Sequence, residues 1–183
     1  MESLAIIAEF NPFHTGHARL IRQVRQAAGP EAAIVIIMSG AFVQRGEPAF
    51  FDKWHRAAWA IDGGADVVIE LPAVYALSSA AGFAQGGVTL AARLGCQALA
   101  CGVEGGTAAD FLSLARRSEG LTACLKAAKK SSAGQQLTDA LMAAAPDEAR
   151  LQPQPNALLS FENARALLKQ EQPLPFLPLP PPA

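Results

Sequence analysis

Cysteine is scarce in this chain, which contains only three in 183 residues. Cys96, Cys101 and Cys124 are odd in number, and their spacing matches no zinc module. They therefore predict neither a metal site nor a disulfide framework. Cys96 and Cys101 flank or lie in an apolar stretch, where a thiol packs as a small hydrophobic group. Because unpaired thiols are typical of a reducing compartment, we expect a cytoplasmic protein.

Long apolar runs are also absent. The most apolar stretch, from Ala65 to Ala84, is interrupted by Asp66, Glu70 and Pro72 and cannot span a bilayer. The apolar residues near the N-terminus are too few for a signal peptide. We therefore expect no membrane partner.

The charges nearly cancel, with 15 basic and 16 acidic residues and a formal net charge of −1. Tight binding to nucleic acid requires many phosphates to be neutralised, so this balance argues against a dedicated nucleic-acid binder. One basic cluster partly offsets it. We interpret this cluster as a solvated helix face, with a contact to an RNA backbone as the alternative; it comprises Arg116, Arg117, Lys126, Lys129 and Lys130.

Apolar runs alternate with amphipathic stretches, and the links between them are short. This alternation predicts an α/β fold: a Rossmann-like parallel sheet with helices on both faces. Strands are predicted over Leu4–Ala8, Ala33–Met38, Asp66–Leu71 and Gln97–Cys101, and helices over His17–Ala28, over Phe51–Gly63, from Ser78 or Ser79 to about Leu94, and from about Thr107. The polar segments after the strands should meet at the carboxyl rim of the sheet, where such folds bind ligands.

An H-x-G-H motif stands where the first predicted strand passes into the first helix. The N-terminal turn of a helix has free N–H groups and a positive dipole end, so it attracts anions. Gly16 has no Cβ, which lets a phosphate or a flat base approach the backbone. His14 and His17 can donate hydrogen bonds to phosphate oxygens as charge builds on them. A metal site is the alternative, but only His55 remains as a further imidazole.

Neither a G-x-x-x-x-G-K-[ST] loop nor a nucleophile elbow is present. Three cations follow the second predicted strand. Arg45 could hold a phosphate or carboxylate, or pair with Glu47. Lys53 and Arg56 lie on the next helix, within reach of the same rim, and are either ligand contacts or solvated helix residues.

With these residues in place, the chain resembles the bacterial tRNA(Met) cytidine acetate ligases, members of the H-x-G-H nucleotidyltransferase-like superfamily. The resemblance runs through four blocks and, weakly, through a fifth: Ala8–His17, Met38–Ala49, Asp52–Arg56, Gly64–Pro72 and Pro155–Leu159. It implies an enzyme that uses ATP, with Mg²⁺, to activate acetate as acetyl-adenylate. The acetyl group then passes to the wobble cytidine of elongator tRNA(Met).

From the chemistry of their side chains, His14, His17 and Lys53 are predicted to be catalytic, and Arg45 and Arg56 to hold acetate or pyrophosphate. The resemblance implies the nucleotide contacts. The nucleotide would contact Ile7, Ala8, Glu9, Phe10, Asn11, Pro12, Phe13, His14, Thr15, Gly16, His17, Ala18, Arg19, Leu20, Gly102 and Asn156. Family members are about twice as long as this chain, and we expect their tRNA-binding part to be missing.

Three regions are therefore predicted: a nucleotide-binding core over residues 1–120, a helical extension over 121–172 that completes the domain, and a Pro-rich tail over 173–183. Asn156 is expected to cap the last helix, which runs through Glu171. The tail is interpreted mainly as polyproline-like coil, with an edge strand at its start as the alternative. Two other functions stay open: an adenylyltransferase acting on a small phosphorylated metabolite, and a shortened ATP-binding module without full activity.

Overall fold

A computed structural model describes residues 2–44, 46–125 and 155–180. Five parallel strands lie in the order β3-β2-β1-β4-β5, as the Rossmann-like interpretation predicts. The strands are β1 (Ser3–Ala8), β2 (Ala33–Ser39), β3 (Val67–Leu71), β4 (Ala98–Gly102) and β5 (Phe176–Leu179). The helices are α1 (Thr15–Ala28), α2 (Lys53–Asp62), α3 (Ala73–Ala76), α4 (Ala80–Arg93), α5 (Ala108–Leu125) and α6 (Pro155–Leu168).

The central strands β1 and β2 are apolar on both faces, because each face is covered by helices. Alternate residues of β1 divide between two hydrophobic cores. Leu4 and Ile6 belong to the core under α1 and α2. Ala5 and Ile7 belong to the core under α4, α5 and α6. The chain therefore leaves β1 on one face of the sheet and reaches β4 on the other, which makes the gap between β1 and β4 the topological switch point.

Helix starts are set by side chains that accept hydrogen bonds from the first free N–H groups. Asp52 caps α2 by accepting from the backbone N–H groups of Trp54 and His55 at 2.9 and 3.0 Å, so this helix begins at Lys53 and not at Phe51 as predicted. Ser79 caps α4 in the same way. The short helix α3 was not predicted.

Two expectations for the C-terminal part are wrong. Asn156 does not cap the last helix, because α6 already begins at Pro155, and proline suits the first helical position, where no N–H bond is needed. Residues 176–179 are not polyproline-like coil but the edge strand β5, the stated alternative. Pro178 is tolerated because an edge strand can leave an N–H position unpaired.

The division into regions 1–120, 121–172 and 173–183 stays a prediction. Arg116 and Arg117 lie in α5, whereas Lys126, Lys129 and Lys130 fall outside the described residues. Within the described ranges, no helix combines the length and apolar character that crossing a bilayer requires.

Candidate functional site

A cleft of about 540 Å³ opens at the carboxyl ends of β1 and β4, at the switch point. One wall is the turn after β1 and the start of α1. The opposite wall is the end of β4 with the start of α6. The lining residues that were not predicted are Ile6, Gln23, Cys101, Val103, Glu104, Leu159, Ser160 and Leu179.

The predicted contact stretch Ile7–Leu20 forms the first wall almost completely. Only Phe13, Thr15 and Ala18 of this stretch do not line the cleft. Phe13 instead packs its ring edge-on against buried Phe10, with ring centroids 4.9 Å apart. Gly102 and Asn156 line the cleft from the other side, so the structure brings together residues that are far apart in sequence.

The two motif histidines cap α1 reciprocally. His14 Nδ1 accepts a hydrogen bond from the Gly16 N–H at 3.1 Å, and His17 Nδ1 accepts one from the His14 N–H at 3.2 Å. A nitrogen that accepts carries no proton, so in both neutral rings the proton sits on Nε2. Within the described part of the chain, neither Nε2–H has a hydrogen-bond partner. The helix cap therefore leaves two N–H donors at a cleft wall.

The histidine rings stack with centroids 3.7 Å apart and planes inclined by 23°. His17 also packs on the Phe10 ring, with centroids 4.7 Å apart. Burial, and then the nearby His14, lower the pKa of His17 from 6.5 to about 4. His17 is therefore neutral at physiological pH, and it acts as a hydrogen-bond donor without carrying a charge.

The structure gives a further reason for glycine at position 16, which the sequence did not reveal. A Cβ at this position would lie 2.9 Å from His14 Cε1 and 3.0 Å from His14 Nδ1, closer than side chains normally pack. The absence of a side chain thus lets the His14 ring fold back onto the Gly16 N–H. The glycine supports the cap, in addition to the open approach to the backbone that its sequence position predicts.

The turn also holds the loop that follows β2. Glu9 Oε1 accepts from the Gln44 N–H at 2.6 Å, and Asn11 Oδ1 accepts from the Phe50 N–H at 2.6 Å. The two side chains therefore fasten the loop to the first wall of the cleft. Arg45, predicted to hold an anion, lies outside the described residues.

Arg56 is not a rim cation, which corrects the prediction that it holds acetate or pyrophosphate. Its side chain is completely buried. Its Nε donates to the Phe51 carbonyl at 2.9 Å, and Nη1 donates to the carbonyls of Glu9 at 2.6 Å and Ser39 at 3.1 Å. Nη2 donates to the Gly40 carbonyl. The guanidinium joins the ends of β1 and β2 and has no surface left for a ligand.

Lys53 does not line the cleft. Its Nζ lies 2.6 Å from Glu70 Oε2 and 5.2 Å from the centroid of the exposed Trp54 ring. The ammonium group is thus engaged with a carboxylate at the end of β3. Its predicted catalytic role remains a prediction.

The second wall combines a carboxylate with apolar and weakly polar groups. Asn156 Nδ2 donates to Glu104 Oε1 at 2.7 Å and so links α6 to the segment after β4. Deeper in the wall, Cys101 Sγ lies 3.1 Å from Ser160 Oγ. Burial raises the pKa of the Cys101 thiol to about 12, so this cysteine is protonated and is not a nucleophile. The described residues contain no cluster of three potential metal ligands.

The crystal structure of Thermotoga maritima TmcAL bound with alpha-thio ATP has the same fold, with a TM-score of 0.84 and 30% sequence identity. The match covers 98% of this chain and 46% of that protein. The apo form of the same protein also matches with a TM-score of 0.84.

Curated relatives carry the name tRNA(Met) cytidine acetate ligase. The Syntrophomonas wolfei protein is 41% identical over 192 residues, which cover 98% of this chain and 45% of the relative. The Leuconostoc citreum protein is 36% identical over 175 residues, with coverages of 95% and 43%. The Pediococcus pentosaceus protein is 52% identical over 104 residues, with coverages of 57% and 28%. This chain spans less than half the length of these relatives.

The family model described as HIGH Nucleotidyl Transferase matches residues 1–180. That range includes the H-x-G-H turn, both walls of the cleft and every strand of the described sheet. The chain therefore belongs to the HIGH nucleotidyl transferase family.

Proposed function

We propose that this chain binds ATP in the cleft between β1 and β4 and activates acetate as acetyl-adenylate for transfer to a cytidine of tRNA(Met). The observation that carries the proposal is the reciprocal histidine cap, which puts two Nε2–H donors at the N-terminus of α1 beside the cleft. The names of the relatives support the substrates, and the alpha-thio ATP bound to Thermotoga maritima TmcAL supports the nucleotide.

In the first step, an acetate oxygen attacks the α-phosphorus of ATP. A bond forms between that oxygen and phosphorus, and the bond from phosphorus to the bridging oxygen of the β-phosphate breaks. Pyrophosphate leaves with the bonding electrons, and acetyl-adenylate remains. Negative charge shifts onto the phosphate oxygens along this path, and preorganised N–H donors stabilise such charge most where water is excluded.

His14 and His17 fit this task because each ring accepts at Nδ1 and so keeps its N–H at Nε2. The rings stack with centroids 3.7 Å apart, and the lowered pKa of His17 keeps this ring neutral. The dipole of α1, whose positive end lies at this wall, acts in the same direction. The His14 cap holds both rings in place before ATP arrives, so little reorganisation is needed.

ATP is expected to enter with Mg²⁺, which usually binds through substrate phosphates and water rather than in an all-protein site. The described residues fit that mode, since they contain no cluster of three potential metal ligands. The ion would neutralise phosphate charge, while the chain itself positions the α-phosphate.

In the second step, the exocyclic amine of the cytidine attacks the acetyl carbonyl. A C–N bond forms, AMP leaves with the electrons of the C–O bond, and the amine loses a proton. This chain spans less than half the length of its relatives. We therefore propose the transfer to tRNA(Met), and the cytoplasm as its location, with the names of the relatives as support.

Acetate-dependent exchange of labelled pyrophosphate into ATP tests the first step separately from tRNA. We expect exchange with the wild-type chain and with His55→Ala, because His55 is an exposed histidine outside the cleft. We expect His17→Ala to lose most of the exchange. If the wild type binds ATP but exchanges no pyrophosphate with acetate, the ligase proposal is wrong. Formation of acetylcytidine in tRNA(Met) tests the second step.

A further inference from the structure

The second wall of the cleft contains a carboxylate that the proposed chemistry has not used. Glu104 follows β4 by two residues, is exposed and lines the cleft. One of its oxygens, Oε1, accepts a hydrogen bond from Asn156 at 2.7 Å. Within the described residues, Oε2 has no partner. The carboxylate is therefore held at one oxygen and open at the other.

The charges at the cleft orient a nucleotide. The positive end of α1 and the two imidazole donors lie on the first wall, and Glu104 lies on the second. The other carboxylate in the lining, Glu9, lies on the first wall, in the turn after β1, and accepts the Gln44 N–H at one oxygen. An ionised carboxylate only accepts hydrogen bonds and repels phosphate. The part of ATP beside Glu104 must then be a hydrogen-bond donor.

ATP has two kinds of donor: the ribose hydroxyls and the 6-amino group of adenine. The ribose is attached directly to the α-phosphate, which we place at α1. The ribose therefore lies nearer to the opposite wall than the far edge of the base does. Its neighbouring hydroxyls can both donate to one carboxylate. We propose that Glu104 is the residue that selects ribonucleotides by accepting from the ribose hydroxyls, and this inference rests on the proposed ATP function.

Asn156 has a positioning role in this arrangement. Its Nδ2 is used by Glu104, so the amide holds the carboxylate in its rotamer across an interval of 52 residues. The contact of Asn156 with the nucleotide predicted from the sequence is thereby partly indirect. Replacing Asn156 should weaken sugar selection without removing the accepting group.

Calorimetric titration of the whole chain with ATP, 2′-deoxy-ATP, 3′-deoxy-ATP and purine riboside triphosphate tests the proposal. We expect the wild type to bind ATP about tenfold more tightly than either deoxy analogue, the size of one charge-assisted hydrogen bond at an exposed site. Glu104→Gln and Glu104→Ala should bring that ratio below about threefold. Asn156→Ala should give an intermediate ratio.

Glu31→Gln is the matched control, because Glu31 is exposed before β2, at the opposite end of the sheet, and should keep the wild-type ratio. The inference is overturned if the ratio of the affinities for ATP and for the deoxy analogues is the same in the wild type and in both Glu104 variants. The inference is also overturned if the Glu104 variants lose only their preference for ATP over purine riboside triphosphate. That result would assign Glu104 to the adenine amine. If the wild type binds none of the four nucleotides, the proposed function fails and this inference fails with it.

Discussion

The two walls of the cleft are built in different ways. The first wall comes from one continuous stretch, in which His14 and His17 cap the helix that they begin. The second wall joins Glu104 after β4 to Asn156 on α6, which are 52 residues apart. A local wall is formed by short-range hydrogen bonds, whereas the distant wall exists only after α6 has packed against the sheet. The difference separates a wall whose donors are held by local hydrogen bonds from a wall that depends on the assembled domain.

Beneath the first wall, Arg56 gives long-range support by joining the ends of β1 and β2. Arg56→Met leaves the carbonyls of half-buried Glu9 and of buried Ser39 and Gly40 without their Arg56 donor. We expect the free energy of unfolding to fall by about 3–5 kcal/mol, the usual cost of leaving such groups buried and unpaired. Urea unfolding measures it, with exposed Arg22→Met as the control. A loss no larger than that of the control would mean that the first wall stands by itself.

His17→Ala tests the chemical role of the local wall. Removing one preorganised donor to a developing phosphate charge typically costs about 100- to 1,000-fold in rate. We expect a loss of that size in acetate-dependent pyrophosphate exchange, with His55→Ala unchanged. The same His17→Ala change should affect ATP affinity much less than rate. A variant that loses affinity and keeps its rate once saturated would place His17 in ground-state binding instead.

A methyl group added to each wall compares them directly. Gly16→Ala forces a Cβ to within 2.9 Å of the His14 ring, so the ring must move and the cap weakens. We expect about a tenfold loss of ATP affinity, in line with the cost of overpacking. Gly102→Ala is the matched change, because its Cβ would meet its nearest protein atom, in Leu20, at 3.6 Å. Its effect should stay below about threefold. A larger effect at Gly102 would show that the nucleotide presses more closely on the second wall.

The pH dependence of stability sharpens the comparison further. The pKa of His17 is about 4 in the folded chain against 6.5 for a free imidazole. Between these values the unfolded state binds a proton that the folded state does not, so stability falls as the pH drops from about 6.5 to 4. We expect a larger loss of unfolding free energy between pH 7 and 5 for the wild type than for His17→Asn. Equal losses in urea titrations would mean that the His17 ring titrates normally.

Much of this molecule was predictable from sequence, because its signals are local. The alternation of apolar runs and amphipathic stretches follows from the repeat of strands and helices, and it predicted the β1 to β4 strands and the face-covering helices. The H-x-G-H turn could be located at the head of α1 because a cap acts within three residues. Glu9 and Asn11 were named only as part of the nucleotide-binding stretch that the family resemblance implies, without their contacts with the loop after β2.

The misassigned residues are those whose role depends on distant partners. Arg56 has the sequence appearance of a surface helix cation, and only the convergence of the ends of β1 and β2 explains its burial. The Pro-rich segment has the composition of coil, and only its pairing with β4 makes residues 176–179 a strand. Glu104 was not predicted as a site residue, since its partner Asn156 lies on another element.

The sequence by itself determined the parallel α/β architecture and the position of the H-x-G-H turn at the start of α1, because hydrophobic periodicity and helix capping act over a few residues. The tertiary structure decided the opposite wall of the cleft, the buried place of Arg56, the pairing of Lys53 with Glu70 and the lowered pKa of His17. These features need groups from separate elements to be brought together and removed from water, and no short stretch of sequence records that.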